Sequence, residues 1–179
     1  MSILVVGSVA FDTVTTPFGQ AAEVLGGSAT YFAAAASFFT DVRLVAVVGE
    51  DFPEESLDFL QKRNVDLRGL QRAPGRTFRW VGEYGFDLNE ARTLDTQLNV
   101  FAEFAPEIPG EYQGSELVFL ANIDPDLQRK VLSQVRRPAL IAADTMNYWI
   151  KGKPDSLRQT LRMVDMLVIN EAETRQLAG

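Results

Sequence analysis

Short apolar runs alternate with helix signals along much of the chain. Residues 3–6 and 42–48 are continuous apolar runs, which is typical of strands buried on both faces of a sheet. The alanine-rich stretch 29–39 between them predicts a helix that packs closely on that sheet, with Ser28 as its N-cap.

The same rhythm returns later in the chain. Asp51 and Glu54 have the spacing of a capping box and predict a helix that ends near Asn64. This order of elements predicts one α/β domain over residues 1–179, with a doubly wound, mostly parallel sheet covered by helices. Further strands are predicted at 117–120, 139–143 and 166–169, and further helices at 125–135, 154–164 and 171–178.

The hydrophobic pattern changes in the middle of the chain. Residues 77–86 alternate between apolar and polar positions, and residues 97–104 alternate more weakly. Period-two alternation is typical of strands with one face in water, so we predict an antiparallel β-flap at about 76–105, with 87–96 as its connection. One face of this flap should cover a ligand pocket or the flap of a second subunit, because it is too apolar to stay in water. That face carries Phe78, Trp80, Tyr84 and Phe86.

Composition narrows the chemistry that the chain can perform. The formal net charge is −7 and no basic run occurs, which argues against a nucleic-acid partner. The chain has no cysteine and no histidine, so disulfides, thiolate or imidazole metal sites and histidine-based catalysis are excluded, and acid–base chemistry must use Asp, Glu, Lys or Tyr. No basic leader precedes the first apolar run and no apolar stretch approaches the roughly 20 residues of a membrane span, which predicts a cytoplasmic protein without a membrane partner.

Polar residues follow several of the predicted strands. Asp12 lies beyond the first strand, Asp144 and Asn147 follow strand 139–143, and Asn170 and Glu173 come after strand 166–169. Ligands bind at the carboxyl edge of open α/β sheets. An Asp there can accept hydrogen bonds from vicinal hydroxyls, and Glu173 can ligate Mg²⁺ directly or through water.

Each of these signals also has a purely structural interpretation. Asp12 fits an Asx turn or a solvated loop, Asn170 fits a helix cap, and Glu173 fits a partner of the helix dipole. The Gly26-Gly27 pair before the helix fits a tight turn, although the same turn can bring a sugar hydroxyl or a phosphate close to the backbone.

Four motifs in a fixed order make the pattern more specific. They are Leu25-Gly-Gly-Ser-Ala-Thr-Tyr-Phe-Ala, Val47-Val-Gly-Glu-Asp-Phe, Asp144-Thr-Met-Asn-Tyr-Trp and Asn170-Glu-Ala-Glu. In order and spacing they resemble the signatures of the ribokinase-like (PfkB-type) carbohydrate and nucleoside kinases, over essentially the whole chain. The resemblance implies ATP-dependent, Mg²⁺-dependent phosphorylation of a hydroxyl on a sugar or nucleoside. It also implies a substrate lid where the β-flap is predicted.

The resemblance assigns roles to individual residues. Asp12, Gly26 and Gly27 match positions that bind the acceptor's hydroxyls, and Asn170 and Glu173 match positions that organise Mg²⁺ and the donor phosphates. Asp144 and Asn147 belong to the strand-end motif and are predicted to bind substrate, and the flap residue Arg79 is predicted to face the acceptor together with Arg76, Thr77 and Trp80.

Two features depart from the family pattern. Tyr31 stands where the family often has an Asn that helps to bind the acceptor, which leaves the acceptor's identity open. The Gly-Ala-Gly-Asp segment that supplies the anion hole and the catalytic base does not occur, so the base is expected beyond Gly179 and this chain is expected to be inactive alone. The alternatives are a non-catalytic sugar- or nucleoside-binding module and a module that forms a homodimer through the flap.

Overall fold

The computed structural model describes residues 1–88 and 90–179, and these contain ten strands and six α-helices. The helices are α1 (Ser28–Ala36), α2 (Asp58–Gln61), α3 (Pro125–Leu132), α4 (Asn147–Gly152), α5 (Pro154–Leu161) and α6 (Glu171–Ala178). The strands are β1 (Ser2–Val6), β2 (Ala10–Thr16), β3 (Gly19–Gly26), β4 (Asp41–Gly49), β5 (Asp66–Ala73), β6 (Arg79–Tyr84), β7 (Ala91–Gln97), β8 (Leu117–Leu120), β9 (Leu140–Asp144) and β10 (Met166–Val168).

Six of the strands form a parallel central sheet in the order β10-β9-β8-β1-β4-β5. Alternate residues of β1 enter different cores: Ile3 and Val5 pack with α1 on one face, whereas Leu4 and Val6 pack on the other. This two-sided burial is the reason why the strand has a continuous apolar sequence. The predicted α/β fold with a mostly parallel sheet is confirmed.

The other four strands form a second sheet in the order β3-β2-β6-β7. The pair β2–β6 is parallel, and the pairs β2–β3 and β6–β7 are antiparallel. The predicted flap therefore contributes two of its four strands, and β2 and β3 were not predicted. Asp12, predicted just beyond the end of β1 in a loop, lies within β2 of this second sheet. One face of this sheet lies towards the carboxyl edge of the central sheet, as the cavities described below show.

The prediction that residues 97–104 form the second strand of the flap was wrong. Most of the predicted connection 87–96, which includes Asn89 outside the described residues, belongs to β7, and Asn99–Glu103 is a 3-10 turn. Phe101 and Phe104 from this segment are buried in the core on one face of the central sheet. Residues three apart lie on one side of a 3-10 helix, so the spacing of these aromatic residues fits the turn better than a strand.

Two predicted helix caps were also wrong. Helix α1 begins at Ser28 itself, and the Ser28 side chain instead accepts a hydrogen bond from the Asn122 backbone N–H at 3.0 Å. Asp51 caps no helix, because its carboxylate accepts hydrogen bonds from the backbone N–H and the Oγ1 of Thr77, both at 2.7 Å. The helical segment after it begins at Glu54 as a 3-10 turn. Among the described residues, no helix is both long and apolar enough to cross a membrane.

Candidate functional site

Two adjoining cavities lie where the second sheet meets the carboxyl edge of the central sheet. The larger has a volume of about 810 Å³ and the smaller about 150 Å³. Strands β6 and β7 supply one wall of each cavity. The segments after β8 and β9 supply the other wall of the larger cavity, and the segments after β9 and β10 supply that of the smaller one. The two cavities share the lining residues Trp80, Glu90, Ala91, Thr93, Met146 and Asn147.

The structure brings Asp12 together with the Gly26-Gly27 pair. A Cβ atom at Gly26 would overlap the Asp12 carboxylate, which accepts a hydrogen bond from the Gly27 backbone N–H. Gly27 has a φ of 94° and lies against the backbone of Ser8, so a side chain at this position would be strained. Burial raises the pKa of Asp12 to about 6, and the hydrogen bond from Gly27 opposes that rise.

Strand register places Asp12 on the cavity side of the second sheet. Asp12 pairs with Trp80 on β6, and Trp80 pairs with Thr96 on β7, so the three side chains project from one face. Trp80 and Thr96 line the larger cavity. Burial raises the pKa of Tyr84, which lines the smaller cavity, and the charges of Asp12 and Tyr31 add to that effect. Asp12 does not line either cavity among the described residues, but it lies on the face of the second sheet that borders the larger one.

Aromatic side chains form much of the larger cavity's wall. The Trp80 indole lies over Gly82, where a Cβ would overlap its ring, and donates from Nε1 to Thr93 Oγ1 at 3.1 Å. From α4, Trp149 donates from Nε1 to Asn122 Oδ1 at 2.9 Å. Phe78, Phe101 and Tyr148 complete the aromatic part of the lining. Such a cavity suits a flat or partly apolar small molecule that also has polar groups.

Carboxylates and amides gather at the ends of β9 and β10. Burial raises the pKa of Asp144 to about 8, with the charge of Glu173 as a further cause. Burial also raises the pKa of Glu173, although hydrogen bonds with Asn170 oppose that rise. Asn170 and Glu173 form a reciprocal capping box on α6, with hydrogen bonds of 2.8 and 3.0 Å. Both residues therefore have a structural role at the start of this helix. Both also line the smaller cavity, as does Asn147.

Comparisons with known proteins agree with this geometry. No family model matches the chain. A cytidine kinase from Thermococcus kodakarensis is 28% identical over 186 residues, which cover 100% of this chain and 65% of that kinase. The chain is thus similar in sequence to a nucleoside kinase. Its motif resemblance is thereby confirmed, and it spans 65% of the length of this curated relative.

Solved structures show the same ribokinase-like fold. The nucleoside kinase of Methanocaldococcus jannaschii, an archaeal member of the ribokinase family, superimposes with a TM-score of 0.74 at 17% identity, covering 99% of this chain and 63% of that one. The ribokinase from Cryptococcus neoformans, in complex with ADP, gives a TM-score of 0.75 at 19% identity, covering 98% of this chain and 60% of that one.

Two of the predicted site residues make contacts of another kind. The Arg79 guanidinium binds Glu23 at 2.7 Å and Asp51 at 2.9 Å and does not line either cavity among the described residues. It is held by these two carboxylates at the junction of the two sheets, and its contact with an acceptor stays a prediction. Tyr31 is 61% exposed, and its hydroxyl donates to the Leu25 carbonyl at 3.1 Å.

The ribokinase-like resemblance implies a magnesium ion, and the donor set fits it in part. Asp144 Oδ1 is buried without a hydrogen-bond partner among the described residues, so a bound cation would satisfy it. The part of the chain that the structure describes holds no cluster of three acidic residues at metal-binding spacing. Mg²⁺ commonly takes one or two carboxylates and completes its shell with water and phosphate oxygens. The site therefore fits an ion shared with a phosphate.

Several lining residues were not predicted from the sequence. Asn122 follows β8 directly, so the strand-end rule that singled out Asp144 would also have found it. Trp149 lies within the strand-end motif, but its role as a cavity wall depends on α4, which was not predicted. Thr93 and Thr96 were placed in a connection, and only the position of β7 brings them to the cavity.

Proposed function

We propose that the complete protein transfers the γ-phosphoryl group of ATP to a hydroxyl of a nucleoside or sugar, and that this chain provides the acceptor site. The observation that carries the proposal is the cavity at the carboxyl edge, with the partly buried Asp12 carboxylate on the face of the second sheet that borders it. The similarity to a cytidine kinase supports the reaction class. Since the chain spans 65% of that relative, the activity is proposed for the complete protein.

Asp12 and the Gly26-Gly27 turn would bind the acceptor's hydroxyl groups. An ionised carboxylate offers several lone pairs, and one bond from Gly27 leaves the others for two vicinal hydroxyls. The glycine turn leaves no side chain between the ligand and the backbone. The second sheet would cover the acceptor and exclude water, which strengthens these charge-assisted hydrogen bonds.

The carboxylates and amides after β9 and β10 would hold the phosphate end of the reaction. Asp144, Asn147, Asn170 and Glu173 are the residues that would hold Mg²⁺ and the phosphates of ATP, directly or through water. A bound Mg²⁺ stabilises the charge that develops on the phosphoryl group. We propose that the catalytic base lies outside the 179 residues, which lack the Gly-Ala-Gly-Asp segment.

Substitution of Asp12 tests the acceptor site. In the complete protein, Asp12→Ala should lower kcat/KM by about 2–4 kcal/mol in transition-state free energy, because two charge-assisted hydrogen bonds are lost. The control is Asp41→Ala, since Asp41 is exposed at the start of β4. With wild-type protein, acceptor binding should weaken as the pH falls through about 6, where Asp12 becomes protonated. Equal kcat/KM values for both variants would contradict the assignment.

A second measurement tests the division of roles. The 179 residues alone should bind a nucleoside such as cytidine but should not form its phosphate from ATP, because base and oxyanion donors together contribute several orders of magnitude in rate. Binding is measured by calorimetry and transfer by a radiolabelled-phosphate assay. Sustained transfer by this chain, abolished by Glu173→Gln, would show that the catalytic centre lies within it.

We also propose, as a second role of the second sheet, that it pairs with the same sheet of another copy. Phe18 and Phe86 form an edge-to-face pair at 6.1 Å, although they are 75% and 82% exposed. Two exposed rings in contact make an apolar patch that association would remove from water. Sedimentation equilibrium of wild type and Phe86→Ser tests this role: a dimer that the substitution dissociates supports it, and a wild-type monomer at high concentration contradicts it.

A further inference from the structure

The larger cavity contains both tryptophans of the chain. Trp80 belongs to β6 and Trp149 to α4, on opposite walls of the boundary between the two sheets. Each indole Nε1–H is already engaged, with Thr93 Oγ1 at 3.1 Å and with Asn122 Oδ1 at 2.9 Å. The indoles therefore offer the cavity their ring surfaces and not a hydrogen-bond donor.

Chemistry fixes the orientation of the Asn122 amide. An indole N–H can only donate, so Asn122 must turn Oδ1 towards Trp149 and its Nδ2 amino group away from it. The Asn122 backbone N–H is also held, by Ser28 Oγ at 3.0 Å. No described residue accepts a hydrogen bond from Nδ2, and Asn122 lines the larger cavity. The cavity thus contains one fixed, unpartnered amide donor beside two aromatic surfaces.

We infer that Asn122 is a specificity-determining residue whose Nδ2 group donates to a carbonyl oxygen or ring nitrogen of a heteroaromatic ring bound against Trp80 and Trp149. This rests on the proposed function and narrows the acceptor from a sugar or nucleoside to a nucleoside. Base–aromatic stacking supplies affinity without regard to base identity, and a fixed donor selects the edge of the base. A free sugar lacks the flat heteroaromatic ring, with its carbonyl or ring-nitrogen acceptors, that this part of the cavity would bind.

Asn122→Asp separates a recognition role from a structural one. The aspartate keeps the shape and the oxygen that accepts from Trp149, but it replaces the amide donor with a second acceptor. If Asn122 serves only to hold Trp149, this substitution should leave ligand binding unchanged. If Nδ2 donates to the base, the substitution places two acceptors against each other and weakens binding.

Tryptophan fluorescence of the 179-residue chain reports on binding directly, because both fluorophores line the cavity. Uridine and inosine, whose bases carry carbonyl groups, should quench the emission, and ribose should bind at least about tenfold more weakly than uridine. Asn122→Asp should raise the Kd of uridine at least about tenfold without changing that of ribose. The matched control is Asn64→Asp, at an exposed position outside the cavity lining, which should behave as wild type.

Trp149→Phe provides a second variant that does not depend on the added charge. It keeps a ring in the wall but removes the N–H that orients the amide, so the Kd of uridine should rise by a smaller factor than in Asn122→Asp. Thermal unfolding of each variant confirms that the chain stays folded.

The outcomes distinguish this inference from the proposed function. Uridine binding that Asn122→Asp leaves within twofold of wild type overturns the role of Asn122 while the acceptor site stands. Equal affinity for ribose and uridine overturns the base-binding role in the same way. If neither ribose nor any nucleoside binds the wild-type chain, the proposed acceptor site fails and this inference fails with it.

Discussion

The two sheets of this protein are stabilised in different ways. Strand β1 of the central sheet is buried at all five positions, whereas six of the seven residues of β7 in the second sheet are exposed. The central sheet is held by apolar cores on both faces. The second sheet depends on close approaches at Gly26 and Gly82 and on polar contacts at its junction with the central sheet.

This contrast suits the proposed division of work. A sheet packed on both faces is a rigid platform for strand-end residues, because its side chains cannot move without opening a core. A sheet with one wet face and few apolar contacts opens at a lower free energy, which a cover over a binding site requires. The contrast predicts that substitutions in the central sheet affect global stability, whereas substitutions in the second sheet affect local opening and binding.

The largest effect is expected in the centre of β1. Leu4 is fully buried, and Leu4→Ala should lower the free energy of unfolding by about 2–5 kcal/mol, because it leaves a cavity between strands and helices that cannot collapse. Leu94→Ala on β7 is the matched control, since Leu94 is 50% exposed, and it should change stability by less than about 0.5 kcal/mol. Urea denaturation measures both. A comparable loss for Leu94→Ala would show that the second sheet is packed as tightly as the first.

Acidic residues at the carboxyl edge of the central sheet should make the free energy of unfolding lower at neutral pH than at acidic pH. The pKa of Asp144 is raised from 3.8 to about 8, so the folded state holds its proton more tightly than the unfolded state does. Stability should therefore fall as the pH rises from about 4 to about 8, by on the order of a few kcal/mol. Asp144→Asn should remove most of this dependence in thermal unfolding curves. Asp12, with a pKa raised to about 6, should leave a smaller fall between about pH 4 and 6. A pH-independent melting temperature in wild type would contradict both assignments.

The two glycines before α1 should respond differently to an added methyl group. Gly27→Ala should cost about 1–3 kcal/mol, because a φ of 94° and contact with the Ser8 backbone cannot be relieved. The atoms nearest to a Cβ at Gly26 belong to the end of the Asp12 side chain, which can swing away, so Gly26→Ala should cost less stability but weaken acceptor binding. Paired unfolding and binding measurements on both variants check this. Equal stability losses would mean that Asp12 is as immobile as the backbone.

The smallest effect is expected at the junction of the two sheets. Asp51→Ala leaves the buried Thr77 N–H and hydroxyl without their acceptor and removes one partner of Arg79, which should cost about 1–2 kcal/mol. The loss should be local: hydrogen exchange should accelerate for amides of β6 and β7 and stay unchanged in β1. Glu54→Ala nearby is the control, since the Glu54 side chain is 91% exposed. Uniform acceleration in both sheets would show that they open as one unit.

Much of the central sheet could be predicted from the sequence because burial on both faces leaves a local signal. The runs at 3–6, 42–48 and 117–120 contain few polar residues, and each one is a central strand. Helix α6 was predicted at its observed bounds, since the Asn170–Glu173 capping box is a local contact. The ribokinase-like motifs also lie at strand ends and turns, where a few residues suffice to mark the place.

The second sheet could not be predicted in the same way, since its strands are specified by their partners. Six of the eight residues of β3 are exposed and a seventh is partly buried, so the strand has no apolar alternation. The segment 97–104 does alternate, but Phe101 and Phe104 enter a core as part of a 3-10 turn. Apolar residues two or three positions apart fit both a strand and a 3-10 turn, and only the packing against neighbouring segments decides between the two.

The sequence by itself determined the parallel core, the strand-end position of Asp144, and the resemblance of the chain to ribokinase-like kinases. The tertiary structure alone decided which residues share the site. It turned Arg79 into an ion pair at the junction, laid Trp80 over Gly82, and set Asn122 against Trp149. The physical reason is that a helix cap joins residues close in sequence, and burial of a strand or helix face leaves apolar residues at a fixed period. A cavity is formed by side chains from distant segments, and the contacts between those segments leave no periodic pattern in the sequence.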